Sequence, residues 1–198
     1  EELLENSDAI YLISHPSKHY EQIKTALQKR KNVLCESPIT LSKAQSEELY
    51  ALAKKNDCIL MEALKTAYST AYSRLLLLLK CGVIGEVVSV DATCTSLEFI
   101  KNNEETRLDS WNSICAWGPT AMLPIFQILG VNYKKKQIVS NVMLNNENKF
   151  DLFTKIDFIY NDAVASIKVG KGVKSEGNLV ITGKKGYIYV PAPWWKTD

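Results

Sequence analysis

The 198 residues are 46% hydrophobic, enough to bury a substantial core in one large domain or two small ones. Twenty-four basic and twenty-two acidic side chains leave a net charge of +2, and their scatter argues against a nucleic-acid-binding stripe. The longest apolar run near a helix, Leu75 to Leu79, falls far short of the roughly 20 residues a bilayer requires, and the acidic start Glu1-Glu2-Leu3-Leu4-Glu5 lacks the basic head of a secretory signal.

Ala9 to Ser14 is a β-branched and aromatic run ended by His15-Pro16, the pattern of a strand and a turn. From His19 to Arg30, Tyr20, Ile23, Ala26 and Leu27 recur at helical spacing, with Ser17 as the expected N-cap. Asn32 to Glu36 reads as a second strand. Thr40 or Ser42 can cap the next helix, in which Ala44, Leu49, Leu52 and Ala53 form an apolar face and Lys54 and Lys55 suit the last turn. Cys58 to Glu62 reads as a third strand. Strands alternating with helices over short links predict a parallel sheet with right-handed crossovers, so residues 1–66 are expected to be α/β.

After Tyr68 the pattern changes. A helix to about Lys80 should end at Cys81-Gly82, where glycine suits a left-handed exit. Six strands follow: Glu86 to Phe99, Gln137 to Leu144, Phe150 to Tyr160, Val164 to Val169, Leu179 to Thr182 and Tyr187 to Val190. Asn161-Asp162 and Lys184-Lys185-Gly186 read as hairpin turns, which predicts a largely antiparallel sheet for residues 67–198. One helix, Thr120 to Leu129, interrupts the strands and stops at Gly130. Asn102 to Arg107 and Asn145 to Lys149 read as polar loops, and Gly170, Gly172 and Gly177 as loop glycines without phosphate-cradling spacing. The five cysteines, Cys35, Cys58, Cys81, Cys94 and Cys115, are odd in number and mostly flanked by apolar residues. They are expected to be buried thiols of a cytoplasmic protein.

Asp8 to Ile13, His19-Tyr20-Glu21-Gln22 and Asn32 to Pro38 together resemble the later part of the nucleotide domain in the glucose–fructose oxidoreductase, inositol dehydrogenase and MocA family. The resemblance continues through Leu60-Met61-Glu62-Ala63, Gly82 to Val87, Gly118 to Gly130 and Gly183 to Tyr187. It implies α/β plus α+β architecture: the second part of a Rossmann-type sheet, then an open, mainly antiparallel sheet domain with helices on one face. It also implies further residues before Glu1, where the family's phosphate-binding glycine turn lies, and some after Asp198. NAD or NADP is the implied cofactor, a sugar or polyol the implied substrate, and a homodimer or higher homo-oligomer through the open sheet the implied assembly.

In that family a Glu-Lys-Pro motif ends the second of these strands, with its lysine near nicotinamide and substrate. Glu36, Ser37 and Pro38 stand at those positions, and serine supplies neither lysine's charge nor its reach. Aligned on Gly118, the family's Asp-x-Gly-x-His or Tyr segment places Ala116 at the acid and Thr120 at the histidine or tyrosine. Lys65, in Glu62-Ala63-Leu64-Lys65-Thr66, follows the third strand and is the leading candidate for moving the hydroxyl proton; a solvated loop lysine is the alternative.

Ser14, His15, His19, Glu36 and Pro38 are the candidate cofactor-side residues. His19 is expected to be neutral at a helix N-terminus, with plain packing as the alternative. Trp117 and Thr120 are the candidates on the substrate side. Trp111, Trp117, Trp194 and Trp195 could stack on a sugar, against which core or dimer packing weighs. Ser37, Ala116 and Thr120 together leave two other readings open: a non-catalytic dinucleotide- or sugar-binding regulator, and a dimerisation module.

Overall fold

The computed structural model describes residues 2–97, 112–145 and 148–196. It divides into two compact units, Glu1–Leu64 and Lys65–Asp198.

The first unit begins with a single helical turn, α1 (Glu2–Glu5), and then alternates β1 (Ala9–Leu12), α2 (Pro16–Gln28), β2 (Asn32–Cys35), α3 (Lys43–Lys55) and β3 (Leu60–Glu62). The strands form a parallel sheet in the order β1-β2-β3. Ile10, Val33, Cys35 and Leu60 point from it into a core completed by Ile23, Ala26 and Leu27 of α2 and Leu49 and Ala53 of α3. The register aligns Tyr11, Leu34 and Met61 across the sheet, and all three are exposed. Period-two alternation puts these side chains opposite the core-facing set.

The start of α2 differs from expectation. Its N-cap is His15, whose ring accepts from the Ser17 amide, because Pro16 takes the first helical position and moves the cap one residue before it. Ser42 does occupy the N-cap position of α3, but its side chain makes no capping bond. The Thr40 hydroxyl instead donates to the Ser42 carbonyl and lies 2.6 Å from the Ser46 hydroxyl.

The second unit opens with a 3-10 turn, Lys65–Tyr68, and α4 (Thr70–Lys80), which exits through Cys81 and a left-handed Gly82, as predicted. It continues through β4 (Val87–Ser96), α5 (Ser113–Leu129), β5 (Lys135–Asn145), β6 (Asn148–Ile159), β7 (Val164–Lys171), β8 (Leu179–Gly183) and β9 (Gly186–Val190). The sheet order is β5-β6-β7-β4-β8-β9. Every pairing is antiparallel except β4 with β7, so the sheet is mixed and largely antiparallel. α5 packs on β4, β6 and β7 over a core that includes Val90, Ile125, Phe158, Ile167 and Ile181.

Three expectations change here. α5 starts seven residues earlier than Thr120 and carries Pro119 and Pro124 in its interior. Each proline removes one ladder bond. Burial of Gly118, Ala121, Pro124 and Ile125 holds the helix against that loss. The stretch Asn145 to Lys149 is the end of a hairpin in which Asn145 pairs with Asn148, rather than a free loop; residues 146 and 147 lie outside the described residues. Gly170 belongs to β7, where a Cβ would come within 2.4 Å of Val173. The expected loop Asn102 to Arg107, the end of the strand expected to reach Phe99, and Trp111 also lie outside the described residues.

Candidate functional site

Because β1, β2 and β3 run parallel, their carboxyl ends meet at one edge, where ligands of doubly wound sheets bind. Cys35 is in register with Leu12 on one side and Glu62 on the other. Two further bonds carry the ladder past the strands: the Glu36 amide donates to the Leu12 carbonyl at 2.9 Å, and the Ala63 amide to the Cys35 carbonyl at 2.8 Å. Residues leaving β1 and β2 are thereby fixed beside the end of β3.

Two hydroxyl–carboxylate pairs stand at this edge. The Ser37 hydroxyl donates to Glu62 Oε1 at 2.7 Å, and the Tyr11 hydroxyl donates to Glu36 Oε1. The hydrogen bond to Glu36 raises the Tyr11 phenol above its ordinary value, because ionising it would put an anion against an anion. Burial, followed by the charges of Glu62 and Glu36, pushes the Cys35 thiol up to about 12. Burial, then Glu62 and Cys35, raises Tyr50 as well. The edge is therefore negative, and Ser37 is half-buried within it.

His19 is buried beneath the edge. Its Nδ1 lies 2.8 Å from the Pro38 carbonyl and its Nε2 2.8 Å from the Ser14 carbonyl, so the ring ties the turn after β1 to the turn after β2. A neutral ring carries one N–H and satisfies one of these oxygens at a time. Ser14 turns its hydroxyl to Gln22 Oε1, and Pro38 is buried after a cis peptide bond from Ser37. His15 closes the first turn of α2, its Nδ1 2.8 Å from the Ser17 hydroxyl.

Ser14, His15, His19, Glu36, Ser37 and Pro38 thus gather in the first unit. Lys65, Trp117 and Thr120 belong to the second. Lys65 is exposed at the start of its 3-10 turn. Trp117 and Thr120 are half-buried on α5, with Thr120 one helical turn beyond Ala116. The Trp117 ring packs 5.0 Å from that of Trp195, and its Nε1 donates to the Ser96 hydroxyl at 3.2 Å. Trp194 is a core residue whose Nε1 donates to the Thr93 carbonyl, which removes it from the sugar-stacking candidates. Cys35 and Cys94 are buried as expected, whereas Cys81, at the polar end of α4, is exposed. Among the described residues no group of three or more His, Cys, Asp or Glu is arranged to hold a metal ion.

Sequence reasoning missed Glu62 and Tyr11 as members of the edge. The available signal was the parallel pattern itself: aligning the ends of the second and third predicted strands sets Glu36-Ser37 beside Glu62.

A protein-family model described as "Oxidoreductase family, NAD-binding Rossmann fold" matches residues 1–64. Among curated proteins, the chain is 26% identical over 193 residues to the uncharacterized oxidoreductase YhhX of Escherichia coli, covering 94% of this chain and 54% of that protein. It is 28% identical over 198 residues to trans-1,2-dihydrobenzene-1,2-diol dehydrogenase of Xenopus laevis, covering 95% and 57% respectively. The chain therefore spans about half the length of these relatives. Among solved structures, KijD10, a 3-ketoreductase from Actinomadura kijaniata in complex with NADP and TDP-benzene, superposes with a TM-score of 0.82 at 22% identity. That match covers 96% of this chain and 59% of KijD10, and it establishes the shared fold.

Proposed function

We propose that the chain belongs to the glucose–fructose oxidoreductase, inositol dehydrogenase and MocA family of oxidoreductases, and that the whole protein transfers hydride between NAD or NADP and a hydroxyl-bearing carbon of a sugar or polyol. The observation that supports this reading most is the carboxyl edge of the parallel sheet. There the residues standing at the family's motif are gathered with a negative, half-buried hydroxyl–carboxylate pair. Such a pair suits the transfer of a hydroxyl proton.

The residues present fit one wall of a dinucleotide site. Ser14 and His15 lead from β1 into the N-terminus of α2, a helix of 13 residues, and His19 anchors both neighbouring turns. When bound, the dinucleotide supplies the hydride acceptor or donor. Glu36 and Pro38 shape the turn after β2. Lys65 and Ser37 are the two candidates for moving the proton, and Trp117 and Thr120 belong to the substrate side. Residues 1–66 act as part of the dinucleotide-binding domain, and residues 67–198 as part of the substrate and dimerisation domain.

A cytoplasmic location is part of this proposal, and among the described residues no helix is long and apolar enough to cross a membrane. Homodimerisation through the open sheet is supported by exposed Ile138, Val142, Met143, Tyr187 and Tyr189 on its outer strands. Ser37, Ala116 and Thr120 favour one second reading, a family member that binds dinucleotide or sugar without turnover. Nicotinamide absorbance followed with a panel of sugars and polyols tests the first reading on the full-length product of the gene. Turnover supports the oxidoreductase, and dinucleotide binding without turnover supports the regulator.

A further inference from the structure

The second strand ends in a hydroxyl rather than an amine, and that hydroxyl is already aimed at a base. Ser37 Oγ donates to Glu62 Oε1 at 2.7 Å, and the two residues leave adjacent parallel strands locked in register by Cys35↔Glu62. Neither side chain is fully enclosed, so a ligand hydroxyl has access to the pair. A serine hydroxyl both donates and accepts, and can pass a proton along without holding charge. Glu62 supplies the basic end of the path.

We propose that Ser37 and Glu62 form a proton relay that serves the oxidation of a secondary alcohol. The proposal rests on the oxidoreductase reading above. As the substrate O–H bond breaks, its proton bonds to Ser37 Oγ, and the proton already on Ser37 Oγ passes to Glu62 Oε1. The carbon–hydrogen bond breaks with both its electrons leaving as hydride to an oxidised nicotinamide dinucleotide. The alcohol becomes a ketone, Ser37 ends as a neutral hydroxyl, and Glu62 ends protonated until water removes the proton. The reverse sequence reduces a ketone. Glu36 stays outside the path because its Oε1 is held by Tyr11. His19 acts as a positioning residue, since its ring fixes the carbonyl of Pro38 next to the relay serine.

The full-length gene product is compared with Ser37→Ala, Ser37→Thr and Glu62→Gln, each followed by kcat, KM, calorimetric dinucleotide binding and thermal melting. Ser37→Ala and Glu62→Gln should each lower kcat by about 100-fold or more while dinucleotide affinity and KM stay within about threefold. Ser37→Thr should restore most of the loss seen with alanine. Turnover that survives either Ser37→Ala or Glu62→Gln overturns the relay alone. Wild-type protein that binds dinucleotide and turns over no alcohol or ketone overturns the oxidoreductase reading, and the relay with it. Should Glu62→Gln fail to melt cooperatively, the contrast between Ser37→Ala and Ser37→Thr decides the matter.

Discussion

Asp151, on β6, holds the start of α5 by grasping the amide of Ser113: Oδ1 accepts from Ser113 N at 3.1 Å, and Oδ2 accepts from Ile114 N at 3.2 Å. The hydroxyl of Thr154 donates to the same carboxylate, and Asn112 caps the next amide, that of Cys115. A residue distant in sequence thus supplies what the first turn of any helix lacks, acceptors for its free N–H groups and a negative charge at the positive end of the dipole. Asp151→Ala should destabilise the chain by about 1–2 kcal/mol, with Asp151→Asn recovering part of it. Urea unfolding followed by circular dichroism measures both, and an unchanged midpoint for the alanine variant would refute the capping role.

Removing the buried imidazole should cost more. His19→Ala removes the ring N–H that serves the Ser14 and Pro38 carbonyls and opens a cavity, for a loss of about 2–4 kcal/mol. The same urea titration measures it. A loss below about 0.5 kcal/mol would mean that the ring bears no load between the two turns.

Thiol chemistry separates the cysteines. Cys81 should react with Ellman's reagent in the native state, and Cys35 and Cys94 only on unfolding. Cys35 also links stability to alkali. Its folded value is raised from 9.0 to about 12, so the unfolded thiol loses its proton first. The contribution is complete below the unfolded value and is lost as pH rises toward the folded one. Stability should fall across that window, and Cys35→Ala should make the fall shallower. Equal slopes for the two proteins would disprove the linkage.

The hairpin joining β8 and β9 sets a tight limit on side-chain volume. A Cβ on Gly183 would lie 2.3 Å from the Ile84 carbonyl oxygen, whereas one on Gly186 would come no closer than 3.8 Å to Ile84. Gly183→Ala should cost about 1–3 kcal/mol, since backbone must move. Gly186→Ala should stay within about 0.5 kcal/mol. Parallel thermal melts compare them, and equal melting temperatures would contradict the contact.

From β1 to β3 the elements of the first unit were legible because period and punctuation agree there: strand-length apolar runs ending in polar or proline-bearing turns, separated by helices with one apolar face; the single turn α1 was not. α5 was half legible. Its expected start, Thr120, lies after Gly118 and Pro119, whereas the helix begins at Ser113 and is held by burial against a sheet whose strands lie elsewhere in sequence. The parallel pairing of β4 with β7 has no local signature, since neither strand neighbours the other along the chain. The edge was legible through Glu36, Ser37 and Pro38, which a motif marks. Glu62 and Tyr11 enter it through strand register alone, and that depends on partners rather than on composition.

The placement of β4 between β7 and β8 also governs how the chain emerges during synthesis. Val87–Ser96 leaves the ribosome with neither flank covered, and its partners begin only at Val164 and Leu179. At about 5–20 residues per second that interval lasts several seconds, during which a ten-residue β-forming segment is open to adhesion by other nascent chains. A chaperone that shields this stretch until β8 is made should therefore raise the soluble yield of the chain, and slowing translation between Ser96 and Val164 should lower it.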